Sequence, residues 1–318
     1  MAAPRGAAGG RDGPPPDDMR RSIGFLLHPR EAEDGELVQS AIELAQTHGF
    51  DTWTVRIDPE GDVFRHRADT VLLVTLGGDG TFLYGARLAA PLGIPVLGVN
   101  RGQLGFLTDI EVGQLHQAID DFVAGRHRIQ RRSLLELTVP RPDQHPFTAL
   151  ALNEVVVKST GINLVRIRVD VDDELLGEFD ADGIIVATAT GSTAYALSAG
   201  GPPIDPRVRA VVIVPLAPHA VITRPVVLPE AVTVRLTVEH GRAFAAADGH
   251  VDCSVLEATP ITVRPGPELQ VVQIAGSPSF LRRLREKVRF GTPLKESLED
   301  ANGHRMRERD RADAERVD

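Results

Sequence analysis

An α/β unit followed by an all-β unit is the architecture that this 318-residue sequence predicts, and three observations carry it. Between Thr70 and Ala90 an apolar run meets Gly77-Gly78-Asp79-Gly80-Thr81 and then Phe82-Leu83-Tyr84-Gly85-Ala86-Arg87-Leu88, which reads as strand, glycine turn and helix. Beyond residue 124 the texture changes. Val165-Arg166-Ile167-Arg168-Val169-Asp170-Val171 and Val232-Thr233-Val234-Arg235-Leu236-Thr237-Val238 alternate apolar and polar without error, the mark of half-buried antiparallel strands. The length suffices for two domains, each with its own core.

Residues 1–18 are Gly, Pro, Ala and charge, with Pro14-Pro15-Pro16, and hold too little apolar surface to order themselves. The foldable sequence opens at Met19, and Ser22 to Leu27 is a short apolar strand. Leu37, Val38, Ala41, Ile42, Leu44 and Ala45 recur at helical spacing, with Gly49 as the C-terminal stop. Thr52 to Ile57, the run ending at Leu76, and Ile94 to Val99 complete four strands. Their alternation with helices implies a parallel sheet covered on both faces. A helix over about Val112 to Ala124 closes this α/β unit, assigned residues 19–128. The β-rich unit, 129–289, adds Leu134 to Val139, Gly183 to Thr188, Ala210 to Val214, Val226 to Leu228, Ile261 to Val263 and Leu269 to Ile274, with hardly any helix. From 290 to 318 the chain is polar and charge-mixed and reads as a disordered tail.

Hydrophobic residues at 42% and charged residues at 25% are an ordinary globular balance. A net charge of −9 argues against a general nucleic-acid or membrane-surface binder, so an anionic ligand must meet a local positive site. Cys253 is the one cysteine; it leaves no internal disulfide and no thiolate cluster for zinc, and a reducing cytoplasm is its natural setting. No apolar run approaches the roughly 20 residues that span a membrane, and no signal-peptide pattern is visible.

In the glycine turn, three glycines in four positions permit a sharp reversal and uncover backbone N–H groups at a helix N-terminus, where phosphate binds. Asp79 stands out there, because a carboxylate repels phosphates unless a metal ion or a proton to be accepted justifies it. The spacing is not the dinucleotide fingerprint: counting from Gly78, Gly80 is third but Leu83 is sixth. Nor does the Gly-Lys-Ser/Thr of a P-loop follow.

Four further segments set polar or glycine-rich groups into apolar strands. Gly98 to Thr108 is a glycine-rich loop at the C-terminal end of a strand, the position of ligands in open parallel sheets. Asn153-Glu154 joins an amide to a carboxylate inside an apolar run; such acceptors suit ribose hydroxyls or an adenine amine, although polar pairs are also ordinary at strand ends. Asp182 to Gly201 runs from a strand into Thr190-Gly191-Ser192-Thr193, whose hydroxyls can cap a short helix or donate to a ligand. Ala247-Asp248-Gly249-His250 is most economically a hairpin turn, with His250 and His219 as surface or structural histidines.

Together these segments resemble the NAD kinase family, which phosphorylates the 2′-hydroxyl of the adenosine ribose of NAD to make NADP. The resemblance rests on Gly77-Gly78-Asp79-Gly80-Thr81, on Asn153-Glu154, and above all on Asp182-Gly183 followed by Thr190-Gly191-Ser192-Thr193-Ala194-Tyr195, and it covers about residues 20–290. The glycine-Asp turn is shared with diacylglycerol and sphingosine kinases; the Gly-Ser-Thr-Ala-Tyr segment is much more specific.

The resemblance implies a Rossmann-like α/β domain and a β-sandwich-like domain with the active site in the cleft between them. It implies Asp79 as the proton acceptor at the ribose hydroxyl, with Gly77, Gly78, Gly80 and Thr81 in the nucleotide contact. Asn153, Glu154, Asp182 and the run Thr193, Ala194, Tyr195, Ala196, Leu197 and Ser198 hold the dinucleotide in this reading. Phe106 matches an aromatic placed to stack on adenine, and His250 stands where some members place a ligand-contacting Gln. Mg²⁺ carried on the donor phosphates, ATP or polyphosphate as donor, and a homodimer or homotetramer joined through the β-rich half follow from the same likeness. Arg101, Gln103, Ala187 and Ala189 depart from the family pattern and bear on fine specificity. A lipid kinase on the same scaffold and a non-catalytic NAD or ATP sensor are the rival readings.

Overall fold

The computed structural model describes residues 21–28, 35–57, 69–100, 105–142, 144–220, 223–249 and 251–291. The extension 1–18, the tail from 292, Arg101, Gln103 and His250 lie outside the described residues.

The first half is built on β1 (Ser22–Leu27), α1 (Glu36–Thr47), β2 (Asp51–Arg56), β3 (Thr70–Leu76), α2 (Asp79–Ala89), β4 (Val96–Asn100), the short β5 (Ile110–Glu111) and α3 (Leu115–Val123). Strands β2, β1, β3 and β4 lie side by side and parallel in that order. Every residue of β1 is buried, as a strand covered on both faces requires. Val38 and Ala41 of α1 join Leu115 and Ile119 of α3 on one face, while Phe82 and Ala86 of α2 cover the other. From β1 the chain moves outward to β2, and from β3 it moves the opposite way to β4. That reversal leaves a crevice at the carboxyl ends of β1 and β3, where open α/β sheets bind ligands, and Gly77 directly follows β3.

The second half contributes β6 (His127–Val139), β7 (Phe147–Ala151), β8 (Glu154–Ser159), β9 (Val165–Val171), β10 (Glu174–Ala181), β11 (Gly183–Thr188), the single turn α4 (Tyr195–Ser198), β12 (Ala210–Leu216), β13 (Val226–Pro229), β14 (Val234–His240), β15 (Ala243–Ala247), β16 (Val251–Val255), β17 (Pro260–Ile274) and α5 (Phe280–Val288). A six-stranded sheet in the order β13-β12-β11-β8-β15-β16 faces strands β6, β9, β14 and β17 of the other sheet. Val157, Val186, Ile167, Leu236 and Val263 meet in the core between them, which makes this half a β-sandwich.

The two halves share a sheet. Strand β17 pairs antiparallel with β14 and β6, then runs parallel to β4 through Val271 and Val96. Its Val272 and Ile274 enter the core beneath α1 and α3, and its Leu269 and Val271 enter the core beneath α2. The register slips between Pro265 and Glu268, which lets one 15-residue strand serve both layers.

Several elements depart from the sequence expectation: β7, β10, β15 and β16 fall outside the expected runs, and two further departures have a visible local cause. Strand β14 begins at Val234 rather than Val232, because the backbone N–H of Val232 turns back to the carbonyl of Pro229. Helix α5 falls where no element was expected; the Ser279 hydroxyl caps it by accepting the Arg282 N–H, and its polar sequence buries only Arg283 and Leu284. Among the described residues no helix is long and apolar enough to cross a membrane.

Candidate active site

Helix α2 starts at Asp79 with Gly78 as its N-cap residue, and no side chain caps it. Its first N–H groups therefore stay available to an anion. The Asp79 carboxylate instead reaches across to the loop after β4: the backbone N–H of Phe106 donates to Oδ2 at 3.0 Å and that of Leu107 to Oδ1 at 3.1 Å. Beside it, Thr81 is buried with its hydroxyl unpartnered and pressed against Gly77, where a Cβ would collide with it.

The loop that holds Asp79 is itself held from below. Arg283, on α5, donates to the carbonyls of Phe106 at 2.6 Å and Thr108 at 2.8 Å and pairs with buried Asp109. Burial pushes the Asp109 carboxyl above the usual carboxylate range, and the Arg283 charge opposes the push.

A second carboxylate organises the start of β8. Asp248, at the turn between β15 and β16, accepts backbone N–H groups from Leu152 at 3.0 Å, Asn153 at 2.8 Å and Glu154 at 3.2 Å. Arg87 of α2 reaches the same carboxylate at 3.4 Å and ties the two halves together. Asp248 and Gly249 have φ of 49° and 68°, so the hairpin reading of this turn holds, with a structural task added.

Glu154 lies buried beside this cluster. Burial first, then the Asp248 charge, raise its pKa to about 7, against the backbone hydrogen bond from Tyr195. Its Oε2 has no partner. Gly191 packs on the main chain of Asn153 so closely that a Cβ there would overlap the Asn153 carbonyl. The hydroxyls after β11 do not cap α4: Ser192 donates to the carbonyl of Ala189 at 2.7 Å and Thr193 to that of Thr190 at 3.2 Å. That corrects the capping alternative and leaves the segment as a self-braced turn against β8.

Neighbours of the two groups line one cavity of about 360 Å³: Phe106 and Leu107 from the loop that holds Asp79, and Thr190 and Thr193 from the segment after β11, with Asp79, Asn153 and Glu154 outside its lining.

Comparison with known proteins matches this arrangement at both ends. A model of the ATP-NAD kinase N-terminal domain matches residues 20–127, and one of the ATP-NAD kinase C-terminal domain matches 152–273. The chain belongs to the NAD kinase family. An NAD kinase of Heliobacterium modesticaldum is 44% identical over 69% of this chain and 79% of its own length. One from Koribacter versatilis is 34% identical over 85% of this chain and 99% of its own. In fold, the chain is similar to yeast NADH kinase solved with NADH, with a TM-score of 0.76 at 23% identity over 87% of this chain and 90% of that one. It is also similar to an Archaeoglobus fulgidus NAD kinase solved with ATP, with a TM-score of 0.64 at 23% identity over 85% and 97%.

In this NAD kinase the family residues divide into those gathered and those set apart. Gly77, Gly78, Asp79, Gly80 and Thr81 form the turn and first residues of α2. Asn153, Glu154, Thr193, Ala194 and Tyr195 gather where β8 begins and β11 ends, with Ala196, Leu197 and Ser198 continuing α4. Asp182 does not join them. It is exposed at the opposite end of β11, about 20 Å along a strand of this length from the Thr188 end. Sequence reasoning placed Gly105 and Asp248 inside two of its singled-out segments without giving either a role at the site, and it missed Asp109, Arg132 and Arg283. Of these three only Arg132 carried a local signal, an arginine at an inward position of a strand, in register with Leu269.

Proposed function

We propose that this NAD kinase transfers the terminal phosphoryl group of Mg²⁺-bound ATP, or of inorganic polyphosphate, to the adenosine 2′-hydroxyl of NAD, with Asp79 accepting the proton. The observation that carries the reading is the pair of backbone hydrogen bonds that Asp79 accepts from Phe106 and Leu107, two residues that line the cavity. Each carboxylate oxygen has two lone pairs. The Phe106 and Leu107 N–H groups occupy one on each oxygen and set the carboxylate plane, and the remaining lone pairs are free to accept a hydroxyl.

A carboxylate is too weak a base to ionise a sugar hydroxyl beforehand, so Asp79 orients it and takes the proton late, as the new P–O bond forms. Phosphoryl transfer has a loose transition state, in which positioning and charge neutralisation dominate. Uncapped N–H groups at the start of α2 supply part of that neutralisation. Mg²⁺ bound to the donor, as part of that substrate, would supply further charge neutralisation. Glu154 and the turn from Thr190 to Tyr195 form the wall against which adenosine is held. Assembly into a homodimer or homotetramer through the β-rich half is part of the same reading.

The test is incubation with NAD, Mg²⁺ and either ATP or polyphosphate, with any NADP formed coupled to an NADP-specific dehydrogenase. NADP appearing with at least one donor supports the reading. Binding of NAD with no NADP from either donor would make the protein a sensor and end it.

A further inference from the structure

The cavity beside the Asp79 loop carries more positive charge than its structural pairs absorb. Its charged lining is Arg128, Arg132, Arg207 and Arg283 against Asp205, in a chain whose net charge is −9. Arg207 is matched by a bidentate bond to Asp205, and Arg283 by Asp109 and two carbonyls. Arg132 is not matched by an ion pair among the described residues. It is 4% exposed, and among those residues its Nη2 donates only to the neutral amide oxygen of Gln130, at 3.1 Å, while its buried Nε finds no acceptor. Asp109, the carboxylate that acts on it most strongly, is already bonded to Arg283, and the weaker attractions of Asp79 and Asp205 come with no hydrogen bond to Arg132 among the described residues.

Burying an incompletely paired guanidinium is costly, and the cost is recovered when an anion enters. Two further features point the same way. Arg128 sits on the same face of β6 as Arg132, two strand periods earlier, exposed and without an ion pair among the described residues. The N-terminal turn of α5, at Pro278, Ser279 and Phe280, forms another wall and presents the positive end of that helix.

We infer that this cavity is a phosphate-binding site, in which Arg132 and Arg128 ion-pair with phosphate oxygens brought beside Asp79. The inference rests on the kinase reading for the source of the phosphate. That source is either the polyphosphate tail of the donor or the 2′-phosphate of the product. The volume is near the lower end of the roughly 300–1,000 Å³ of small-molecule sites, room for phosphate groups and not for a whole dinucleotide.

Calorimetric titration of the full chain with inorganic triphosphate, ATP, NADP and NAD, each alone, tests it without turnover. Arg128→Ala and Arg132→Gln are expected to weaken triphosphate and ATP about tenfold or more, Arg132→Lys to weaken them less, and NAD to change by less than about twofold. A loss confined to NADP would assign the same site to the product's phosphate. Unchanged triphosphate, ATP and NADP binding in both variants, or an equal loss of NAD, would overturn the inference. Arg128 is exposed, so its variant stays informative even if Arg132→Gln fails to fold. Triphosphate binding without NADP formation would refute the kinase reading alone; NADP formation with arginine-independent phosphate binding would refute this site alone.

Discussion

Gly105 stands against Asp79 with no room for a side chain: a Cβ at position 105 would overlap the Asp79 carboxylate. The glycine is there for close approach, since only a bare backbone lets the N–H groups of Phe106 and Leu107 reach both carboxylate oxygens. Gly105→Ala should therefore displace the carboxylate and lower turnover by about tenfold or more, with a circular dichroism spectrum like the parent's. Unaltered turnover would show that the carboxylate's position does not matter.

Asp79→Asn keeps the shape and one acceptor but removes the basic oxygen. Turnover should fall by about two or more orders of magnitude while NAD still binds. Steady-state kinetics together with NAD titration decide it, and wild-type-like turnover would end the assignment of the proton acceptor.

Glu154 predicts a pH dependence with a definite sign. Its pKa rises from 4.5 to about 7 on folding, so between those values the folded chain binds more protons than the unfolded one. Its contribution to stability accordingly declines as pH rises through that window, by about 3 kcal/mol at most. Glu154→Gln should gain on the parent in urea denaturation as pH increases from 4.5, with the difference levelling above about 7. The ionised form is the better acceptor for a ribose hydroxyl. KM for NAD should therefore fall as pH rises through about 7 in the parent and stay flat in the variant.

Asp248 binds no substrate in this scheme, yet it should matter to stability. Asp248→Ala strips the acceptor from the N–H groups of Leu152, Asn153 and Glu154, and buried donors left unpaired cost about 1–3 kcal/mol each. A loss of about 3 kcal/mol or more is expected by chemical denaturation, and a loss under 1 kcal/mol would contradict the structural role.

The buried Arg283–Asp109 pair is predicted to behave likewise. Arg283→Met leaves Asp109 uncompensated and the carbonyls of Phe106 and Thr108 without their donor, a change expected to cost about 3–5 kcal/mol. Replacing both partners by apolar residues should recover part of the loss, which a double-mutant cycle measures.

Much of the fold is legible in the amino-acid sequence. Continuous apolar runs such as Ser22–Leu27 and alternating ones such as Val165–Val171 each report the environment of their own segment, and both became the strands they implied. Gly77 to Thr81 was equally readable, since a strand, three glycines and a helix in sequence dictate a local turn with exposed N–H groups. Asn153-Glu154 stood out because polar atoms interrupt an apolar strand.

What the linear order could not carry was every relationship set by packing across long separations. Nothing near Val271 announces that β17 will leave the sandwich and lie beside Val96. Nor does the polar stretch around Arg283 indicate that one guanidinium will turn inward to brace a loop 177 residues earlier. Asp248 looked like a turn residue because its three N–H partners lie 94 to 96 positions away. Asp182 and Thr193 were assigned to the same dinucleotide although the strand between them, once folded as β11, holds them at opposite ends. By itself, then, the sequence determined the kinds of element, the glycine turn and the family chemistry, because these follow from periodicity and steric limits within a few residues. Strand partners, the burial of Arg132 and Arg283, and the cavity they line were decided only by tertiary structure, because each depends on which distant surfaces close together to exclude water.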